Sequence, residues 1–220
     1  MVRLFLISIV IAFLTAPQTF AADQFKDFGE FSLKVQYPNN HTNVLIKEKK
    51  TFKIHGLDYL AVNYYEAIPG DQYRFILSVA VLKKSNGKYI PLFQKKVHEY
   101  GQPNFFESTF LFKSKGYKFL VFEVFNGAHN MDYTITRVSK GEAKEIPIER
   151  CSINPLVKDV LKTGEWFCRG SFYSFEGGKI WGSAKIYKED DGCCCPTGGE
   201  LVFSLKFEND VFKITEVKRE

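Results

Sequence analysis

Apolar and polar residues alternate along several stretches of the chain. The alternation covers 31–37, 51–54, 179–187 and 201–207. Successive side chains of a β-strand point to opposite faces, so a period of two predicts a strand with one buried and one solvated face. Strands of this kind are typical of antiparallel sheets. The pattern therefore predicts an all-β, mainly antiparallel fold.

Three other runs, 59–65, 73–82 and 117–125, are apolar almost throughout. Strands that are apolar on both faces are covered on both faces, so these runs predict the middle of a sandwich or of stacked sheets. The 22 phenylalanines and 11 tyrosines supply the large flat side chains that such a core needs.

Turn and cap residues mark where these elements end. Asn86-Gly87 and Asn209-Asp210 are dipeptides typical of tight hairpins. One segment differs: Asn154 followed by Pro155, with apolar residues at helical spacing and a later Gly164, predicts a single short helix near 155–163.

The first 21 residues have the pattern of an export signal. Arg3 precedes an apolar run at 4–14, and the triplet at 19–21 has the small residues Thr19 and Ala21 at its ends. An apolar run of about 11 residues is short of the roughly 20 that cross a bilayer. We expect residues 1–21 to be a signal peptide, with a periplasmic or secreted protein and no integral membrane segment after its removal.

The composition changes near residue 148, because all five cysteines and both tryptophans follow it. We therefore predict two units, a β-rich domain at 22–148 and a small cysteine-containing β module at 149–220. The net charge of +5 falls to about +4 without Arg3, and the lysines are dispersed along the strands with no arginine cluster. This distribution argues against a nucleic-acid partner.

The cysteines are Cys151, Cys168, Cys193, Cys194 and Cys195. In an oxidising compartment they are first disulfide candidates, and we expect at least one of the last three to pair with Cys151 or Cys168. Zinc is an alternative, but three adjacent cysteines with alternating side chains fit a tetrahedral site poorly. A bridge between neighbouring cysteines of the triplet is a further alternative.

The stretch 191–203, DGCCCPTGGELVF, resembles a Cys-Cys-Pro-Ser/Thr-Gly-Gly turn near the C-terminus of uncharacterised exported bacterial proteins, including LppP/LprE-like lipoproteins. The similarity covers about 20 residues, and the third cysteine departs from the pattern. It implies an envelope protein with a structural disulfide in this turn, and it implies no activity.

The loop after the third apolar run carries the strongest sequence candidates for ligand binding. Asn126, His129, Asn130 and Asp132 place amide, imidazole and carboxylate groups close together. A turn whose asparagines only satisfy the backbone is the alternative. These four residues are predicted to contact a polar ligand.

Familiar catalytic, cofactor and metal motifs are missing from the sequence. We therefore expect no cofactor and a non-enzymatic binding protein whose partner is an unknown protein or envelope component. One alternative is a hydrolase or isomerase of envelope components, in which His129 or His98 acts with Asp132 or Glu99. Another is a protein inhibitor that inserts the loop Cys195-Pro196-Thr197-Gly198 into an enzyme.

Overall fold

A computed structural model of the chain describes residues 25–36, 44–71, 74–100, 107–125, 131–151, 154–167, 172–192 and 195–220. These residues form fourteen strands and one helix. The strands are β1 (Phe25–Asp27), β2 (Ser32–Lys34), β3 (Val44–Ile54), β4 (Leu57–Ala67), β5 (Phe75–Ser85), β6 (Lys88–Tyr100), β7 (Glu107–Ser114), β8 (Tyr117–Phe125), β9 (Met131–Ser139), β10 (Glu142–Glu145), β11 (Phe172–Glu176), β12 (Lys179–Ile186), β13 (Gly199–Glu208) and β14 (Val211–Arg219). The helix is α1 (Pro155–Val160). The predicted all-β class with one short helix is confirmed.

The described strands form three four-stranded sheets and one two-stranded pair. The first sheet contains β3–β6, the second β7–β10 and the third β11–β14, and β1 pairs with β2. Within each sheet, consecutive strands of the chain pair antiparallel. Every sheet is therefore a simple meander, which explains why short turns recur along the sequence.

The sheets are stacked face to face in chain order. On β4, Leu60 and Val62 pack under the β1–β2 pair, while Tyr59 and Ala61 pack on the second sheet. The second sheet is covered in the same way on its two faces, by the first sheet and by the third. Because β4, β5 and β8 each lie in the interior of this stack, their apolar runs are buried on both faces, as predicted.

The turns behave as their residues predict. Asn86 and Gly87 both have positive φ, and so do Asn209 and Asp210, which gives two-residue turns that match the twist of the flanking strands. The side chain of Asn154 accepts a hydrogen bond from the backbone N of Leu156 at 2.9 Å and so caps α1.

The helix is shorter than its sequence pattern suggests. It ends at Val160, with Leu161 already extended, and Gly164 lies in a separate turn. Only Val157 is fully buried on α1, where it joins the core between the second and third sheets. A helix of six residues is marginal by itself, so this packing contributes to its stability.

The predicted domain boundary near 148 falls between β10 and α1, and it stays a prediction. The aromatic core crosses this position, since Phe119 of β8 packs against Phe207 and Phe212 of the third sheet. Arg137 of β9 also pairs with Asp210 in the β13–β14 turn. The second and third sheets therefore share one continuous hydrophobic core.

An ion pair ties β14 to the segment after α1. Arg219 Nη2 donates to Glu165 Oε1 at 2.7 Å and to the carbonyl oxygen of Gly198 at 2.7 Å. Glu165 also accepts from the backbone N of Lys162 at 2.9 Å. The hydrogen bond from Arg219, followed by that from Lys162, lowers the pKa of Glu165 from 4.5 to about 2.

This pKa predicts how the pair contributes to stability across the pH scale. Because the folded-state pKa is depressed, the contribution is fully present above about pH 4.5 and is lost as the pH falls towards 2. In urea unfolding at pH 7, Glu165→Gln should therefore have a lower midpoint than the wild type. The difference between the two midpoints should shrink steadily between pH 4.5 and pH 2. A difference that is independent of pH would contradict an ionic role for Glu165.

Candidate functional site

One cavity among the described residues lies where the second and third sheets meet at their hairpin ends. Its volume is about 400 Å³, within the range of small-ligand sites. One wall comes from the β7–β8 turn and another from the β11–β12 turn, and the floor comes from β13. The lining residues are Lys113, Ser114, Lys115, Gly177, Gly178, Lys179, Trp181, Ser204, Leu205, Lys206, Phe207 and Glu216. We call this cavity the Trp181 cleft.

Trp181 is exposed because of its position on β12. Alternate residues of this strand are buried, and Trp181 shares the opposite, solvated face with Lys179 and Lys185. Its neighbours across the sheet are Ser174 on β11 and Ser204 on β13. Because both are small, they leave the indole face open, and the side chain is 40% exposed. A large aromatic residue on a polar sheet face is typical of a contact surface.

The two turns that flank the cleft are fixed to each other. Ser114 Oγ donates to the carbonyl oxygen of Gly178 at 2.6 Å. Gly178 has a φ of +75°, and a Cβ there would lie 3.2 Å from the carbonyl oxygen of Lys113. Only glycine adopts this conformation without strain at such a close approach. The mouth of the cleft is therefore held by a hydrogen bond from the short Ser114 side chain to the main chain and by the close approach of the two turns.

A β-bulge shapes the floor. The register between β13 and β14 shifts between Ser204 and Leu205, so that Ser204 pairs with Glu216 while Leu205 pairs with Ile214. Bulges re-aim the side chains around them and are frequent next to functional sites. Here the bulge places the Ser204 hydroxyl and the apolar Leu205 side by side in the lining. The floor thus offers both a hydrogen-bonding group and an apolar surface.

The cleft carries an excess of positive charge. Four exposed lysines line it, Lys113, Lys115, Lys179 and Lys206, against the single carboxylate of Glu216. Lys179 Nζ lies 5.9 Å from the centroid of the Trp181 ring, a cation–π distance. One lysine on the same sheet face outside the cleft is paired: Lys185 contacts Glu200 at 2.6 Å.

A second depression, of about 500 Å³, lies between the β1–β2 pair and the first sheet. It is lined by Phe28, Glu30, Phe31, Ile46 and Lys49. Its one lysine pairs with its one glutamate, so its charge is balanced internally. This depression offers less to a polar ligand than the Trp181 cleft does.

Of the four ligand-binding residues predicted from sequence, the structure describes Asp132. Asn126, His129 and Asn130 lie outside the described residues. Asp132 is half-buried on β9 opposite Val124. Along β8 that position is about 23 Å from Tyr117, at a rise of about 3.3 Å per residue. Asp132 is therefore remote from the Trp181 cleft, and the role of the predicted loop stays a prediction.

The residues of the predicted catalytic alternative are distributed as follows. His98 lies half-buried on β6 opposite Leu77. The carboxylate of Glu99 pairs with Arg74 and, at 3.1 Å, with Lys96. Neighbouring residues of a strand point to opposite faces, so His98 and Glu99 do not face each other.

One further carboxyl group has a perturbed titration. Burial raises the pKa of Glu123, which is on β8 opposite Tyr133. Burial, and then the charge of Glu123, raises the pKa of Tyr133. The Tyr133 hydroxyl accepts from the backbone N of Tyr173 at 3.1 Å. A carboxyl group whose pKa is raised is suited to proton transfer, and sequence patterns alone did not single it out.

Of the cysteines, Cys168, Cys193 and Cys194 lie outside the described residues. Cys151 is buried in the core between the second and third sheets, and Cys195 is exposed. Asp191 organises the turn near Cys195, because its carboxylate accepts from the backbone N and the hydroxyl of Thr197, both at 2.8 Å. The predicted bridge from the triplet to Cys151 or Cys168 stays a prediction.

No family model and no curated protein matches this chain. Among solved structures, the chain is similar to a thermostable family-43 glycoside hydrolase at 16% identity, with a TM-score of 0.37. The alignment covers 80% of this chain and 59% of that protein. The chain thus spans less than two thirds of the length of the hydrolase. No helix in the described part of the chain has the length and apolar character of a membrane span.

Proposed function

We propose that this chain is an exported, non-enzymatic binding protein of the bacterial envelope and that the Trp181 cleft is its binding site. The observation that carries the proposal is the open indole face of Trp181 in a cavity of about 400 Å³. Export rests on the signal-like residues 1–21 and on the resemblance of the 191–203 turn to that of exported proteins.

The physical argument for binding is the combination of groups in one concave site. The indole gives a flat apolar surface, the Ser114 and Ser204 hydroxyl oxygens can accept hydrogen bonds, and the lysines add donors with positive charge. The linked turns hold these groups in place before a ligand arrives. A preformed site loses less conformational entropy on binding than a flexible one does.

The two tryptophans of the chain allow a direct test. Trp166 packs on Tyr187, with ring centroids 5.0 Å apart, and does not line the cleft. In a Trp166→Phe variant of the full chain, fluorescence therefore reports Trp181 alone. Titration with a panel of neutral and acidic oligosaccharides should shift this fluorescence for at least one member, because stacking removes water from the indole.

Replacing Trp181 by alanine should then weaken binding of that oligosaccharide by tenfold or more, measured by calorimetry. Such a loss is the usual scale for an aromatic anchor. The melting temperature should change by only a few degrees, since the side chain is exposed. Unchanged affinity in Trp181→Ala, or no fluorescence response to any member of the panel, would refute the proposed site.

The enzymatic alternative has one observation in its favour, the raised pKa of Glu123 at the end of β8 that leads into the His129 loop. A general acid also needs a cleft that holds the substrate against it. The Trp181 cleft, with its indole and its polar side chains, lies at the opposite hairpin end of the second sheet. We therefore propose binding at Trp181 as the main function.

A further inference from the structure

The charge around the Trp181 cleft indicates which ligands it would select. Lys113, Lys115, Lys179 and Lys206 come from four different strands or turns, and all of them line one cavity. Among the residues that the structure describes, none of the four lies within ion-pair distance of a carboxylate. Four clustered ammonium groups repel one another, and an anion between them removes that cost.

Lysines outside the cleft are only partly paired. Lys185 lies on the same strand face as Trp181 and pairs with Glu200 on the neighbouring strand. Lys213 and Lys218 on β14 have no ion pair among the described residues, but they do not line the cavity. The cleft is distinguished by four lysines that line one cavity, where a bound anion would take the place of the missing carboxylates.

The remaining lining groups require more than an anion. The Trp181 indole needs a flat apolar partner, and the C–H face of a sugar ring provides one. Glu216 can only accept hydrogen bonds at neutral pH, so the ligand must also donate them, as sugar hydroxyls do. Ser204, opposite Glu216, and Ser114 at the mouth are suited to the same hydroxyls.

We propose that the Trp181 cleft binds acidic polysaccharide, a chain of sugar rings that carry carboxylates. This inference rests on the proposed function, because it names the ligand class of that same site. The indole packs on a ring, the lysines bind its carboxylates, and Glu216 with the serines binds its hydroxyls. Each group in the lining then has a partner, and the affinity depends on salt because the charged groups are exposed.

Single-stranded nucleic acid also combines flat rings with negative charge, but it fits this site less well. Nucleic-acid grooves present a series of stacking aromatic side chains along a basic track. The cleft exposes one indole, contains no arginine, and places the carboxylate of Glu216 among the lysines. A phosphodiester chain would meet that carboxylate with a second negative charge.

The test uses ligands that differ only in charge. Oligogalacturonate, oligomannuronate and hyaluronan hexasaccharides are titrated by calorimetry against the full chain, each beside its neutral carboxyl-methyl ester. At least one acid should bind, and its ester should bind about tenfold or more weakly. Raising the salt concentration from about 20 to 500 mM should weaken binding of the acid much more than binding of the ester.

The protein variants separate the cleft from surface charge in general. A triple variant carries Lys113→Gln, Lys179→Gln and Lys206→Gln. Its affinity for the acid should be about tenfold or more lower than that of the wild type, and its affinity for the ester should be unchanged. Lys185→Gln is the matched control, because it removes a lysine from the same sheet face outside the cleft. This control should bind the acid as the wild type does.

Each other outcome overturns a defined part of the argument. If acid and ester bind equally and both depend on Trp181, the charge inference fails while the proposed binding site stands. If Lys185→Gln weakens binding of the acid as much as the triple variant does, the inference fails because binding is nonspecific. If a single-stranded deoxythymidine oligomer binds more tightly than every acid, nucleic acid replaces polysaccharide. If no oligosaccharide binds, the proposed function fails with the inference.

Discussion

Replacing Phe119 by alanine should lower the free energy of unfolding by about 3 to 5 kcal/mol, the usual cost of truncating a buried phenylalanine. Phe119 has no exposed surface and lies where the second and third sheets meet. Its ring centroid is 5.2 Å from that of Phe207 and 5.1 Å from that of Phe212. The substitution removes both aromatic contacts and leaves a cavity between the sheets.

This loss is a large share of the roughly 5 to 15 kcal/mol that stabilise most domains. At about 2 to 4 °C per kcal/mol for a chain of this size, the melting temperature should fall by about 6 to 20 °C. Urea unfolding followed by circular dichroism measures the effect. Phe172→Ala is the matched control, since Phe172 is 45% exposed on the outer face of the third sheet. Similar losses in the two variants would contradict the assignment of the shared core.

Replacing Gly182 by alanine should lower the free energy of unfolding by about 1 to 3 kcal/mol, although glycine is normally a poor strand residue. Gly182 on β12 pairs with Phe203 on β13, and the phenylalanine ring lies directly over it. An added Cβ would lie 2.1 Å from Cε2 and 2.5 Å from Cζ of that ring. The ring is buried and packs against Tyr173, so it has little room to move.

A double-mutant cycle tests this explanation. Phe203→Ala alone removes a core side chain, but it also leaves space for the methyl group at position 182. The double variant should therefore be more stable than the sum of the two single losses predicts, by about 0.5 to 3 kcal/mol. Additive losses would show that the methyl group added at position 182 does not collide with the Phe203 ring. Ser183→Ala, next in the strand and half-buried, should have a small effect.

The fold class and many of its elements could be predicted from the sequence because they depend on local rules. Alternation along 179–187 predicted a strand with one solvated face, and β12 has that pattern of burial. The apolar runs at 59–65 and 117–125 predicted strands covered on both faces, and β4 and β8 lie inside the stack. The helix end was less predictable, because Leu161 is already extended three residues before the glycine that the sequence pattern offers as a terminator.

The candidate site was only partly visible in the sequence. Trp181 shares its strand face with Lys179 and Lys185, and an aromatic residue among lysines on a polar face was the available signal. The loop that contains His129 was preferred, because its polar groups are adjacent in the chain. Proximity in sequence identifies such loops easily, whereas a cleft between two sheets leaves no local pattern.

Strand periodicity and turn stereochemistry act over a few residues, so the pattern along the chain predicts strands, buried faces and tight turns. Which sheet covers which face depends on contacts between residues that are far apart in the chain. Such contacts bring Ser114 of the second sheet to Gly178 of the third, 64 residues later in the chain. A pattern of apolar residues predicts that a strand face is buried, but it does not predict which sheet covers that face. The cleft and its four lysines therefore depend on the order in which the sheets stack.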